Sequence, residues 1–221
     1  MRINADLSRR AVVTPDQAAW APSPEPGVER LMLDRDGAEV ARATSVVRFA
    51  PDSRFARHTH GAGEEFLVLS GTFSDEAGDY PAGTYVRNPP GSSHAPRSGP
   101  GCTLFVKLRQ FAPDDLKRVV IDTRAATGWT PGDAEGVRVL PLHAHGPERV
   151  ALERWAPGAR FARREHPGGA EFLVLEGGLA DGDGAYPAGS WLRLPPGSGH
   201  APRSEEGCLL YVKTGHLGRA A

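Results

Sequence analysis

Apolar residues in this chain come in short runs separated by turn-forming Gly and Pro, and the runs read as strands. Strands are expected near 28–33, 39–49, 65–70, 83–87 and 102–111, joined by turns such as Asp36-Gly37 and Pro90-Gly91. Thr14-Pro15-Asp16-Gln17 predicts a capped helical turn, because Thr accepts from first-turn amides, Pro suits the first helical position and Gln reaches back. No apolar pattern is long enough for a helix that would bridge parallel strands, so an antiparallel double sheet or barrel is the expected all-β class.

The pattern occurs twice. Residues 55–71 return as 161–177, an offset of 161 − 55 = 106, and 80–98 and 101–107 return as 186–204 and 207–213 at the same offset. Upstream, Trp20 and Gly27-Val28 answer to Trp129 and Gly136-Val137. Two modules are therefore expected, 1–113 and 114–221, with the polar turn residues from Ala112 to Leu116 as the boundary.

Charge and cysteine narrow the classes of partner. With 26 Lys plus Arg against 27 Asp plus Glu, nothing in the net charge of −1 favours nucleic acid or an anionic membrane, so a small-molecule or protein partner is expected. Two cysteines, Cys102 and Cys208, make no disulfide framework and no CxxC site, and both read as small buried residues. The start of the chain lacks a signal-peptide core and no run is long enough to cross a bilayer, which predicts a cytoplasmic protein. A homodimer through an exposed sheet is compatible with this reading.

In an extended strand side chains two apart share a face, so His58 and His60 project together; Glu64 keeps the parity, and the Pro89-Pro90-Gly91 turn can bring in His94. Three imidazoles and a carboxylate suit one divalent transition metal per chain, with Fe or Zn favoured and Mn, Co or Ni compatible; Ca²⁺ and Mg²⁺ prefer all-oxygen shells. Alternation turns Glu65 to the opposite face, toward a surface or a module interface, and Phe66 and Val86 are expected to shape the cavity.

The spacings His58-x-His60-x₃-Glu64-x₆-Gly71 and Gly83-x₅-Pro89-x-Gly91-x₂-His94 resemble the two signature motifs of the cupin superfamily, except that Ser98 stands where many cupins carry Asn. The wording around them is similar to the ChrR-like cupins, which include the C-terminal domain of ChrR-type anti-sigma factors, with acetylacetone-cleaving dioxygenases in a related group. The resemblance implies two tandem jelly-roll (double-stranded β-helix) domains. It also implies either a non-haem metal-dependent dioxygenase, with Glu64 as resting ligand and then as base, or a zinc-binding sensor. About ten residues precede the first module and none before Cys102 is Cys, so direct sigma-factor binding is not expected.

At the ligand positions plus 106 stand Arg164, His166, Ala170 and His200. An arginine has no lone pair to offer and Ala170 has no carboxylate, so the second pocket is expected to be metal-free, and Glu171 corresponds to Glu65 and faces away. Two readings stay open for Arg164, His166 and His200: a vestigial cavity plugged by a long side chain, or an anion pocket. The repeated pairs Arg48/Arg154, Arg87/Arg193, Arg97/Arg203 and Cys102/Cys208 are assigned to the fold, His143-x-His145 to a hairpin loop, and His216 to the tail.

Overall fold

A computed structural model describes residues 1–38 and 40–218. Among the described residues the regular structure is almost entirely β, and the one helical element is the 3₁₀ turn Pro15–Gln17, where Gln17 Oε1 accepts from the Thr14 amide at 3.3 Å. Among the described residues no helix is long and apolar enough to cross a membrane.

The chain packs as two compact units, and they do not follow the linear halves. One comprises Met1–Ala5 and Ala19–Ala125, the other Asp6–Ala18 and Ala126–Ala221. The expected 113/114 boundary therefore falls inside the first unit. Backbone pairing is the reason: Val119–Asp122, from the second repeat of the sequence, is antiparallel to Thr84–Asn88, while Ala11–Val13, from the first, is antiparallel to Trp191–Leu194. Each unit completes its sheet with an early segment of the other repeat.

Each unit repeats one strand order. In the first it runs Arg2–Ile3, Val28–Gly37, Ala41–Phe49, Cys102–Leu108, Glu64–Asp75, Thr84–Asn88, Val119–Asp122. In the second it runs Thr130–Pro131, Val137–His145, Glu148–Trp155, Cys208–Thr214, Ala170–Ala180, Trp191–Leu194, Ala11–Val13. All pairings are antiparallel, and both units are jelly rolls.

The strands expected from the sequence form, with adjusted ends. Glu39, placed in the second strand by its pattern, lies outside the described residues, as do 219–221 of the second module; the strand itself is Ala41–Phe49. The last strand of the first repeat stops at Leu108 rather than 111, because Arg109 takes φ 58° and ends the extended run.

Phe49, Phe66, Val68, Phe73 and Leu104 centre the core of the first unit; Trp155, Phe172, Val174, Leu192 and Leu210 centre that of the second. Each such buried side chain contributes roughly 1.5–3 kcal/mol of transfer free energy. Cys102 and Cys208 are free and buried. Glu65 is buried rather than at the surface. Its carboxylate pairs with fully buried Arg87, whose second nitrogen meets Asp115 at 2.6 Å, and both faces of its strand are covered. His216 is also not tail: its side chain is buried against Glu171, which also accepts from Trp191 Nε1 at 3.1 Å. His143 lies within the strand Val137–His145 and is buried, so only His145 adjoins the hairpin turn.

Candidate metal centre

One short ladder, the turn that follows its first strand and the start of a long strand hold the candidate donors. His58–Thr59 pairs with Ser93–His94, and the register sets His94 opposite His58. The Pro89-Pro90-Gly91 turn is knit to His60 by its backbone: Gly91 N–H donates to His60 O at 2.8 Å and His60 N–H to Ser92 O at 2.9 Å. Glu64 then opens the strand Glu64–Asp75, after a turn at Gly61–Gly63 in which Gly63 takes φ 81°.

These elements bring together all four side chains expected from the sequence. One donor atom from each of His58, His60, Glu64 and His94 lies within 4.8 Å of all the others. His60 Nε2 stands 3.2 Å from His94 Nε2 and 3.3 Å from Glu64 Oε2, and His94 Nε2 is 3.5 Å from that oxygen. His60 and His94 are buried, while His58 is the most exposed of the four.

The outer nitrogens of the rings are all engaged. His94 Nδ1 meets Asp75 Oδ2 at 3.2 Å, His58 Nδ1 meets Ala56 O at 3.1 Å, and His60 Nδ1 meets Ser92 Oγ at 3.0 Å. Ser92 donates its own proton to Pro89 O at 2.6 Å, so its oxygen is left to accept from His60. With Nδ1–H as donor on each ring, every Nε2 lone pair faces the centre, the arrangement found around metal-ligating histidines.

Burial pushes the His60 imidazole down to about 3, reinforced by His94 and His58, and lowers His94 against the opposing pull of Asp75. Burial also pushes the Glu64 carboxyl up to about 7, with Asn88 Nδ2, 3.2 Å away, acting in the other direction. Neutral imidazoles and one carboxylate packed this closely fit a first-row divalent ion, whose bonds to N and O of about 2.0–2.2 Å require donors at such separations.

Above the donors opens a cavity of about 320 Å³. Its walls are Val28, Val47, Phe49, Phe55, Phe73 and Leu104, and its polar positions include Arg30 and Arg109. Phe66 and Val86, expected to shape it, do not line it: both are almost fully buried in the core of the first unit, where the Phe66 ring packs on cavity-lining Phe73 with centroids 4.9 Å apart.

Both halves of the sequence match the profile of the ChrR cupin-like domain, over residues 8–112 and 116–218. The chain belongs to this family. This ChrR-like cupin resembles solved structures at low identity over nearly its whole length. A Nostoc punctiforme protein provisionally assigned as a dioxygenase shares 15% identity at TM-score 0.78, covering 97% of this chain and 85% of its own. The Escherichia coli pirin YhhW, solved with nickel(II), shares 10% at 0.70, covering 93% and 98%. A mutant of Bacillus subtilis oxalate decarboxylase shares 14% at 0.62, covering 96% and 78%. These likenesses concern the fold. No curated protein matches the sequence significantly.

The second unit of this bicupin holds Arg164, His166 and His200 together, with Ala170 in place of a carboxylate. Arg164 spans both oxygens of Glu153, at 2.8 and 2.6 Å, so its guanidinium is occupied by a protein acceptor and the anion-pocket reading is withdrawn. Burial lowers Arg164 but Glu153 outweighs it, leaving its affinity for the proton above the ordinary value. His200 Nδ1 keeps the aspartate contact, 3.1 Å to Asp181, while the Nε2 atoms of His166 and His200 are buried without a partner among the described residues.

Sequence reasoning missed Asp75, Ser92 and Asn88, which position the donors. Asp75 had a signal: Asp181 stands 106 residues on, with Tyr80 and Tyr186 beside them, donating to Asp75 at 3.1 Å and to Asp181 at 2.7 Å. Ser98, at the position where the motif departs from Asn, is buried and donates to Thr72 O at 2.6 Å, a bond between strands rather than a contact at the centre.

Proposed function

We propose that this ChrR-like bicupin is a mononuclear metal-dependent dioxygenase acting on a small enolisable carbonyl compound of the β-diketone type. Fe²⁺ is the favoured ion, and His58, His60, Glu64 and His94 of the first unit would hold it. The observation that carries this reading is the convergence of three imidazoles and one carboxylate beneath an apolar cavity. When bound, a redox-active ion supplies Lewis acidity and electron transfer toward dioxygen.

The chain's own residues do the rest. Asp75 and Ser92 fix the rings of His94 and His60, so the donor geometry precedes any ligand. Phe49, Phe55 and Phe73 exclude water from a bound carbonyl. Glu64, held by Asn88, would be a donor in the resting centre and, once substrate displaces it, the base whose Oε2 accepts the proton that an enolisable carbon gives up.

Protein produced in iron-rich medium is expected to carry about one ion per chain by metal analysis, and to consume O₂ with members of a β-diketone panel. Glu64→Gln is expected to retain most of the metal and lose turnover; unaltered turnover with intact metal would refute the role of Glu64. A second reading, a zinc-binding regulatory module, is favoured by the ChrR family match. Tightly held Zn²⁺ with no O₂ uptake would decide for it.

A further inference from the structure

Two arginines line the cavity of the first unit, Arg30 half-buried and Arg109 exposed, and at the matching positions the second unit has Val139 and Gly215. Arg30 lies opposite Val47 on the paired strand; at the same register in the second unit Val139 lies opposite Glu153. Arg109 corresponds to Gly215, 106 residues on. Both sit in the left-handed region, φ 58° and 73°, and both donate their amide to the glycine before the strand that carries or lacks the carboxylate: Arg109 to Gly63 O at 2.9 Å, Gly215 to Gly169 O at 3.0 Å.

That backbone conformation suits glycine and costs an L side chain, so an arginine kept there points to a use for the side chain. Its position supports one. A Cβ built on Gly61 would lie 3.1 Å from Arg109 Nη1, which puts the guanidinium over the loop between His60 and Glu64; the second unit has Pro167 at that place. Among the described residues neither Arg30 nor Arg109 meets a carboxylate, and Glu64 is the one acid lining the cavity. The unit with the full donor set thus also carries two unneutralised cations at an apolar cavity.

We infer that this cavity takes an organic anion, with an apolar body on Val28, Phe49 and Phe73, a carbonyl end at the four donors and a carboxylate held by Arg30 and Arg109. The carbonyl end rests on the reading under Proposed function; the carboxylate end rests on the arginines alone. A planar guanidinium is matched to a carboxylate by two parallel hydrogen bonds, which gives the site a preference that a neutral ester cannot satisfy.

The test uses 4,6-dioxoheptanoate and its methyl ester, titrated by calorimetry into metal-free and Zn²⁺-loaded full-length protein. Zn²⁺ avoids turnover. Wild type is expected to bind the acid at least about tenfold tighter than the ester, the worth of one charge-assisted hydrogen bond. Arg30→Met and Arg109→Gly should each reduce that preference, and the double variant should abolish it while binding the ester as wild type does, with circular dichroism and metal content unchanged. Equal binding of acid and ester by wild type, a preference that survives in the folded double variant, or no binding of either compound in both arms would overturn the inference. Failure of wild type to take up metal would instead strike the metal reading, and the metal-free titration would then decide the carboxylate preference by itself.

Discussion

The two pockets of this chain are built on the same strands in the same order, and they solve the burial of charge in different ways. In the first, His60, His94 and Glu64 face one another at 3.2–3.5 Å with a donor atom of His58 within 4.8 Å of all three, an arrangement whose lone pairs call for a cation. In the second, His58 is replaced by Arg164 and Val47 by Glu153, and the two new side chains neutralise each other through paired hydrogen bonds. The cation is supplied covalently. Neither change is tolerable alone: Arg164 without Glu153 is a buried unpaired charge, and Glu153 without Arg164 is another. What both pockets keep, Asp75/Asp181 with Tyr80/Tyr186, serves the fold as well as the centre, since Asp181 orients a histidine in the pocket that has lost two of the four donor residues.

The contrast is most sharply tested on the metal itself. His94→Ala is expected to remove essentially all bound metal, while the matching His200→Ala leaves metal content unchanged; plasma mass spectrometry of both variants reads this directly, and equal loss from the two would erase the distinction between the pockets. Next in size, Glu153→Gln strands Arg164 and should destabilise the second unit by about 3–5 kcal/mol, seen as a lower denaturation midpoint. A shift near zero would mean that the pair is solvated. Asp75→Asn should then weaken metal binding by about 10–100-fold through the loss of the acceptor for His94 Nδ1, with Asp181→Asn showing no effect on metal affinity in a competition titration. The smallest expected change is a gain: Arg109→Gly relieves a left-handed side chain and should raise stability by about 1 kcal/mol, whereas Gly215→Arg should lower it.

Much of the centre was legible because a strand and a turn constrain side-chain direction so tightly. His58, His60, Glu64 and His94 could be assembled from parity and one Pro-Pro-Gly turn, and the fold from the repeat and its punctuation. Glu65 shows where parity runs out. Alternation correctly sends it to the other face, but a strand gives no sign of whether that face meets water or is covered, and here Arg87 and Asp115 bury it. Arg164 was ambiguous for a related reason: its partner Glu153 lies 11 residues away on a different strand, outside the conserved wording of the repeat. The 113/114 boundary divides the linear repeat, as the family matches over 8–112 and 116–218 do, whereas packing follows hydrogen bonds that reach past it.

That exchange sets an order on synthesis and folding. The register places Ala11 opposite Arg193, 193 − 11 = 182 residues apart, whereas Thr84 meets Asp122 across 122 − 84 = 38. The first unit, with its four donors, has every strand in hand once residue 125 has been made. The segment Asp6–Ala18 must wait, unpaired, for nearly the whole remaining chain, and closure over so long a loop is a slow entropic step. The half that carries the four donors has its strands complete early in translation, while the pairing of Ala11–Val13 with Trp191–Leu194 waits for a strand made much later.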